Sequence, residues 1–374
     1  MSESRTITLK QLPKYAKSHF KRKRPFMIWS GPGIGKSDTI AAITETYPNS
    51  LLVDIRLPLW EPTDIKGIPY YNANENAMVW AHPIELPSRE LAAQYDTIVL
   101  FLDELNGAAP SVQMAAYQLI LNRKVGTYEL PDNVVVCAAG NRDGDKGVTF
   151  RMPKPLANRL LHYEIRVDFE SWFDWAVNTN QHPDVVGFLA QNKQDLFKFD
   201  PNSADRSFQT PRSWSFVSEI AYDADEFNFS PVEATDMFAA AVGEGTAIKF
   251  VAHRKISGSL PSPEDILAGR VKNLKTEEVS ALYSLAMSLC YEMKIRYDSI
   301  GKTFNGKEYD NKNFKEHTEN LLTFIHEEFG PEMTIMTLRV LLTNYKVRLG
   351  GLKDTKAGAK LMADYADMII DTTS

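Results

Sequence analysis

The chain has 374 residues, 44% of them hydrophobic and 24% charged. That balance is ordinary for a folded globular protein, and roughly 150 residues per domain gives room for two or three domains. Its 42 basic and 48 acidic side chains leave a net charge of −6, which disfavours coating of nucleic acid through bulk charge and leaves only local basic patches. Two cysteines, Cys137 and Cys290, lie in apolar runs and exclude a disulfide framework. The first ten residues are polar, unlike a secretory leader, and no apolar run approaches the roughly 20 residues of a membrane helix. A cytoplasmic protein without membrane contact is therefore expected.

From about residue 7 to 168, short apolar runs alternate with helical patterns, which predicts βαβ units and a parallel sheet. The expected strands are 26–29, 51–55, 97–102, 134–138 and 163–167, with helices at 36–46 and 111–122 between them. Their solidly apolar character suits strands covered on both faces. Residues 67–83 place Tyr70, Tyr71, Met78, Val79 and Trp80 around the turn-forming run 72–76, which predicts a β-hairpin. A smaller hairpin is expected at 124–130. Beyond residue 169 strand signals fade: 172–177 and 231–242 read as helices, and 199–211 as a polar loop. From 274 onward Val279, Leu282, Ala286, Leu289, Cys290 and Met293 recur at helical spacing, with further helices after the polar segment 301–315. The expected domains are 1–168, 169–273 and 274–374.

The chemistry concentrates in a few motifs. Ser30-Gly31-Pro32-Gly33-Ile34-Gly35-Lys36-Ser37 follows an apolar strand and opens a helix. Glycines let backbone N–H groups close around phosphate oxygens, and the helix start adds its positive end. Lys36 would reach the β- and γ-phosphates, and Ser37 would hold Mg²⁺. The usual first glycine of the pattern is Ser30 here. Asp103-Glu104 ends the strand 97–102; Asp103 is expected to complete the Mg²⁺ site and Glu104 to polarise the attacking water. The basic run 21–24 reads as a solvated helix end.

These motifs, in this order, resemble the AAA+ ATPases, and within them the MoxR-like family, over residues 26–270. The segment 61–69, Asp103-Glu104-Leu105-Asn106 and Pro110-Ser111-Val112-Gln113 carry the resemblance, together with Ala138-Ala139-Gly140-Asn141, Pro155-Leu156-Ala157-Asn158-Arg159 and Thr210-Pro211-Arg212-Ser213-Trp214. The hairpin 67–83 matches that clade's helix-2 insert. Gly107 departs from it, standing where a basic residue often follows Asn106. The resemblance implies an α/β P-loop core with a five-stranded parallel sheet, a helical lid and a helical C-terminal extension. It implies Asn141 as sensor 1, bridging γ-phosphate and water, and Arg159, with Arg151 as a rival, as a finger reaching the neighbouring subunit's nucleotide. It implies Arg212 as sensor 2. The cofactors would be ATP and Mg²⁺, the assembly a hexameric ring, and the partner a protein to be remodelled, often one with a von Willebrand factor A domain. Lys66, Tyr70 and Tyr71 are then a partner-engaging surface, or the two aromatics simply pack the hairpin onto the core. The alternatives are a nucleic-acid motor, which the net charge does not favour, and a non-hydrolytic nucleotide switch.

Overall fold

Apolar runs of five to eight residues become the inner strands of one parallel sheet. The computed structural model describes residues 5–373 apart from 82, 143, 146–148, 276–277, 305 and 350–355. They form two compact units, Met1–Ser171 with Phe199–Ala204, and Trp172–Lys198 with Asp205–Ser374.

In the first unit the strands are β1 (Thr6–Ile7), β2 (Phe26–Ser30), β3 (Ser50–Arg56), β4 (Ile68–Asn72), β5 (Ala77–Ala81), β6 (Thr97–Asp103), β7 (Lys124–Val125), β8 (Tyr128–Glu129), β9 (Val134–Asn141) and β10 (Leu161–Ile165). The main sheet runs β1–β10–β2–β9–β6–β3, every pair parallel. It is an α/β P-loop fold built on a parallel sheet, with the helical region that the sequence led us to expect. The sheet has six strands rather than five. The extra strand, β1, is two residues long, too short to carry a periodic signal, and is held by pairing Thr6 and Ile7 with Glu164 and Ile165.

Period-two geometry explains the apolar runs. Leu100, Leu102, Val134, Val136, Ala138 and Met27 share one core cluster with Val112, Ala115, Ala116 and Leu119 of the helix Pro110–Asn122. The alternating residues Val99, Phe101, Val135, Cys137 and Ile28 are buried as well, so both sheet faces are covered. Each large aliphatic buried this way contributes about 1.5–3 kcal/mol. The functional consequence lies in strand order. β9 is neighbour to both β2 and β6, so the C-terminal ends of the phosphate-loop strand and the acidic strand flank that of β9.

β4 and β5 form the expected hairpin, with Tyr70 opposite Val79 and Tyr71 opposite Met78; His82, inside the expected span, lies outside the described residues. Asparagines build the turn: Asn72 Oδ1 accepts from the Asn74 N–H, Asn76 takes φ 48°, and the Tyr71 hydroxyl donates to Asn76 Oδ1. Ile68, Tyr70, Tyr71 and Met78 are 65%, 51%, 59% and 60% exposed, so these side chains do not pack the ribbon onto the core. The β7–β8 hairpin is different. Val125 and Tyr128 join the core cluster, and the Tyr128 hydroxyl donates to Pro87 O.

The second unit is largely helical. Its helices Pro211–Phe227, Pro231–Val242 and Asn311–Glu328 each begin with a reciprocal capping box, at Thr210/Ser213, Ser230/Glu233 and Asp310/Asn313, which satisfies N–H groups the helix cannot. The break expected near Leu274 falls inside this unit. The reason is the crossing of Pro183–Gln191 with Val279–Asp298, where Gly187 meets Ser284 so closely that a Cβ would lie 2.2 Å from its Oγ. His253 faces Ser280 Oγ at 3.1 Å and Ser284 Oγ at 3.0 Å, and the Tyr291 hydroxyl donates to Gln181 O. Within 301–315, expected as a polar link, Lys302–Phe304 and Lys307–Tyr309 pair as a small hairpin.

Candidate functional site

The loop after β2 turns through Gly33 and Gly35. Gly35, at φ +86°, caps the helix Lys36–Glu45 in a left-handed conformation that a side chain resists. Its carbonyl accepts from Thr39 N–H and Oγ1, which anchors the loop to the first helical turn.

Lys36 Nζ donates to Ser30 Oγ at 3.0 Å, Gly31 O at 3.2 Å and Asn141 Oδ1 at 3.0 Å. Ser30 thus has a use that a glycine could not serve: it is fully buried, accepts from Lys36 and donates to Gly31 O. Ser37 Oγ donates to Asp103 Oδ2 at 3.1 Å. Lys36, Ser37, Asp103 and Asn141 are therefore brought together, across the ends of β2, β9 and β6. Pro32 and Ile34 lie in the loop between, Ile34 buried.

Glu104 follows directly on Asp103, whose Oδ1 accepts the Glu104 N–H at 2.9 Å. It is exposed, at φ 53° and ψ 38°, and its side chain makes no capping bond to the short 3₁₀ turn Leu105–Gly107 that it opens. A non-glycine residue in this region is strained. Arg159 follows the short helix Lys154–Ala157, exposed; among the described residues its guanidinium has no hydrogen-bond or ion-pair partner. Arg151 is exposed too. Arg212 belongs to the second unit, exposed in the first turn of Pro211–Phe227.

Several residues at these strand ends escaped the sequence reading. Asn106 Nδ2 donates to Asn141 O at 2.7 Å, and Asn141 N–H donates back to Asn106 Oδ1 at 3.1 Å. Gly140 makes room, since a Cβ there would lie 2.4 Å from that Oδ1. On β3, burial and the Asp103 carboxylate raise the Asp54 carboxyl above its ordinary range, with Arg56 pulling the other way. A charge inside an apolar strand was the visible signal for Asp54. Trp29 Nε1 donates to His162 Nδ1 at 2.8 Å, and His162 Nε2 lies 2.6 Å from Ala157 O. Because indole can only donate, His162 Nδ1 is the acceptor, and the ring ties β2 to the segment bearing Arg159.

The donor set suits ATP with Mg²⁺. A hydroxyl and a carboxylate oxygen side by side are hard ligands of the kind that hold Mg²⁺ together with substrate phosphates. The left-handed glycines, the helix start and Lys36 supply positive character for phosphate.

No known family model matches the chain. It is 25% identical over 190 residues to Midasin of Giardia intestinalis, a stretch covering 49% of this chain and 4% of that protein. Among solved structures, a candidate ATPase from Cytophaga hutchinsonii aligns with 98% of this chain and 89% of its own at 12% identity and a TM-score of 0.34. NtrX from Brucella abortus aligns with 67% of this chain and 69% of its own at 13% identity and a TM-score of 0.32. Scores of this size carry no argument, and the fold rests on the strand order and the loop described above. Among the described residues no helix is long and apolar enough to cross a membrane.

Proposed function

We propose that this chain binds ATP and hydrolyses it as a MoxR-like AAA+ motor that remodels a partner protein. The observation carrying the reading is the hydrogen-bonded convergence of Lys36, Ser37, Asp103 and Asn141 at three adjacent strand ends. Bound Mg²⁺ would neutralise charge on the β- and γ-phosphate oxygens. Gly31–Ser37 would cradle the phosphates, with Lys36 exchanging its present acceptors for phosphate oxygens. Asp103 and Ser37 would hold the metal. Glu104, just beyond the strand, would accept the proton of the attacking water, and the Asn141 amide would orient that water against the γ-phosphate. Arg159, exposed and without an ion-pair partner among the described residues, is suited to stabilise the transferring group in a neighbouring subunit, which makes a ring, hexameric by analogy, the working form. Arg212 would report nucleotide state to the lid.

The exposed β4–β5 ribbon supports the partner role, since it offers Ile68, Tyr70, Tyr71 and Met78 to solvent. By analogy the partner carries a von Willebrand factor A domain. Phosphate release by wild type and Glu104→Gln tests the reading. The expected result is release that requires Mg²⁺ in wild type, with binding retained and release lost in the variant. A wild type that releases no phosphate under any assembly condition would sink it.

A further inference from the structure

We propose that Asn106 is a positioning residue that fixes the spacing between Glu104 and Asn141, an inference that rests on the hydrolysis reading above. The β6–β9 ladder ends at the pair Leu102–Ala138. β9 runs on to Asn141, supported on its other flank by pairing with Ser30. On the β6 flank, the N–H and C=O of Asn141 would lack a strand neighbour. The Asn106 side chain takes that place. Its carboxamide presents an N–H and the C=O on one edge, and that edge bonds both Asn141 backbone groups, at 2.7 and 3.1 Å. It thus adds a rung to the ladder after the strand has turned away.

Three features show how this rung is held. Asn106 is 1% exposed. Its own carbonyl accepts from Phe150 N–H at 2.7 Å, and Gln113 Nε2 braces the same turn through Ala108 O at 3.0 Å. Gly140 lacks the Cβ that would displace it; that atom would lie 2.4 Å from Asn106 Oδ1 and 2.5 Å from Met27 Cε. Asn106 stands two residues after Glu104, on the turn that Glu104 opens. The residue that would take the water's proton and the strand end that would orient that water are therefore fastened to each other through one amide. The same fastening holds the Asn141 side chain at 3.0 Å from Lys36 Nζ.

The test uses the full chain with Asn106→Ala, Asn106→Asp and Asn106→Ala/Gly140→Ala, measuring steady-state turnover and binding of a non-hydrolysable ATP analogue. Turnover of Asn106→Ala is expected to fall about 100-fold, the scale of a misplacement near 1 Å. Analogue affinity should stay within about threefold, because residues 31–37 are untouched. Adding Gly140→Ala should then cost only the shift of the Met27 Cε end, since the Asn106 atom it would strike is gone. Asn106→Asp keeps the acceptor but sets a carboxylate oxygen against Asn141 O. Its turnover relative to wild type should therefore rise as pH falls and the buried acid, with its raised pKa, regains a donor. A purely structural role would not produce that pH-dependent rescue. Turnover of Asn106→Ala within about threefold of wild type overturns the proposal. If that variant does not fold, Asn106→Asp decides: a ratio to wild type that is flat with pH overturns it equally. Wild-type turnover in the same assay separates the two readings, because its absence defeats hydrolysis itself, whereas its presence with an unaffected Asn106→Ala defeats only the role of Asn106.

Discussion

Replacing Glu104 by glycine separates a catalytic role from a structural one, because the two predict opposite signs of stability. Glu104 holds φ 53° without any side-chain cap to the turn it opens. A left-handed L-residue costs about 1–2 kcal/mol, which glycine would relieve. Glycine also gives the unfolded chain more freedom, a loss of about 0.4–1 kcal/mol. The net expectation is a gain of about 1 kcal/mol, or roughly 2–4 °C in the melting temperature of a unit this size. Phosphate release should meanwhile fall about 10²–10⁴-fold, the usual contribution of a positioned base. Glu104→Ala is the control: it removes the carboxylate, keeps the strain, and should lose activity without the thermal gain. Calorimetry and phosphate release on the three proteins check this. A Glu104→Gly protein that melts lower than wild type would refute the reasoning, since the carboxylate would then be holding the turn together.

The remaining expectations are of different kinds. Gly187→Ala should destabilise the second unit by about 1–3 kcal/mol through overpacking against Ser284, read as a lower melting temperature with nucleotide binding unchanged; an unaltered transition would contradict the close crossing. Burial holds His19, His253 and His317 below their ordinary pKa, helped by Arg24 at His19 and by Arg296 at His317, and at His253 against the opposing pull of Asp184. In the unfolded chain they take protons near pH 6.5, so their contribution is full above that pH and is lost as pH drops below it. The urea midpoint should fall between pH 7 and 5, and a flat profile would count against the burial of these rings. Tyr70→Ala with Tyr71→Ala should leave phosphate release and thermal stability near wild type, because both side chains are about half exposed, while partner remodelling is lost; intact remodelling would rule the ribbon out as the engaging surface.

The sequence made much of this architecture readable, for identifiable reasons. The strands β2, β6 and β9 announced themselves because burial on both faces leaves no polar alternation. The loop 31–37 did so because its glycines have few other uses between a strand and a helix. Strand order was not readable, since nothing in β9 itself says that it lies between β2 and β6. Two-residue β1 carried no pattern. The helix crossing at Gly187, whose two helices lie on either side of residue 274 in the chain, was not readable from local composition. Asn106 was in plain view within its motif, but its task depends on where β6 stops and β9 continues, which only pairing register reveals. Ser30 read as a departure, yet its hydroxyl serves Lys36 directly.

The β4–β5 ribbon has a colloidal consequence. A two-stranded sheet has two open edges, and proteins usually blunt such edges with charge or proline. Neither strand of this ribbon contains a charged residue, and Pro69 is its one blunting element. Ile68, Tyr70, Tyr71 and Met78 on it are largely apolar and in water at the same time. With a net charge of only −6 over the whole chain, mutual repulsion between copies is weak. Concentrated, partner-free preparations should therefore self-associate through this ribbon and clear when Tyr70 and Tyr71 are replaced. The chain keeps a solubility liability in the open.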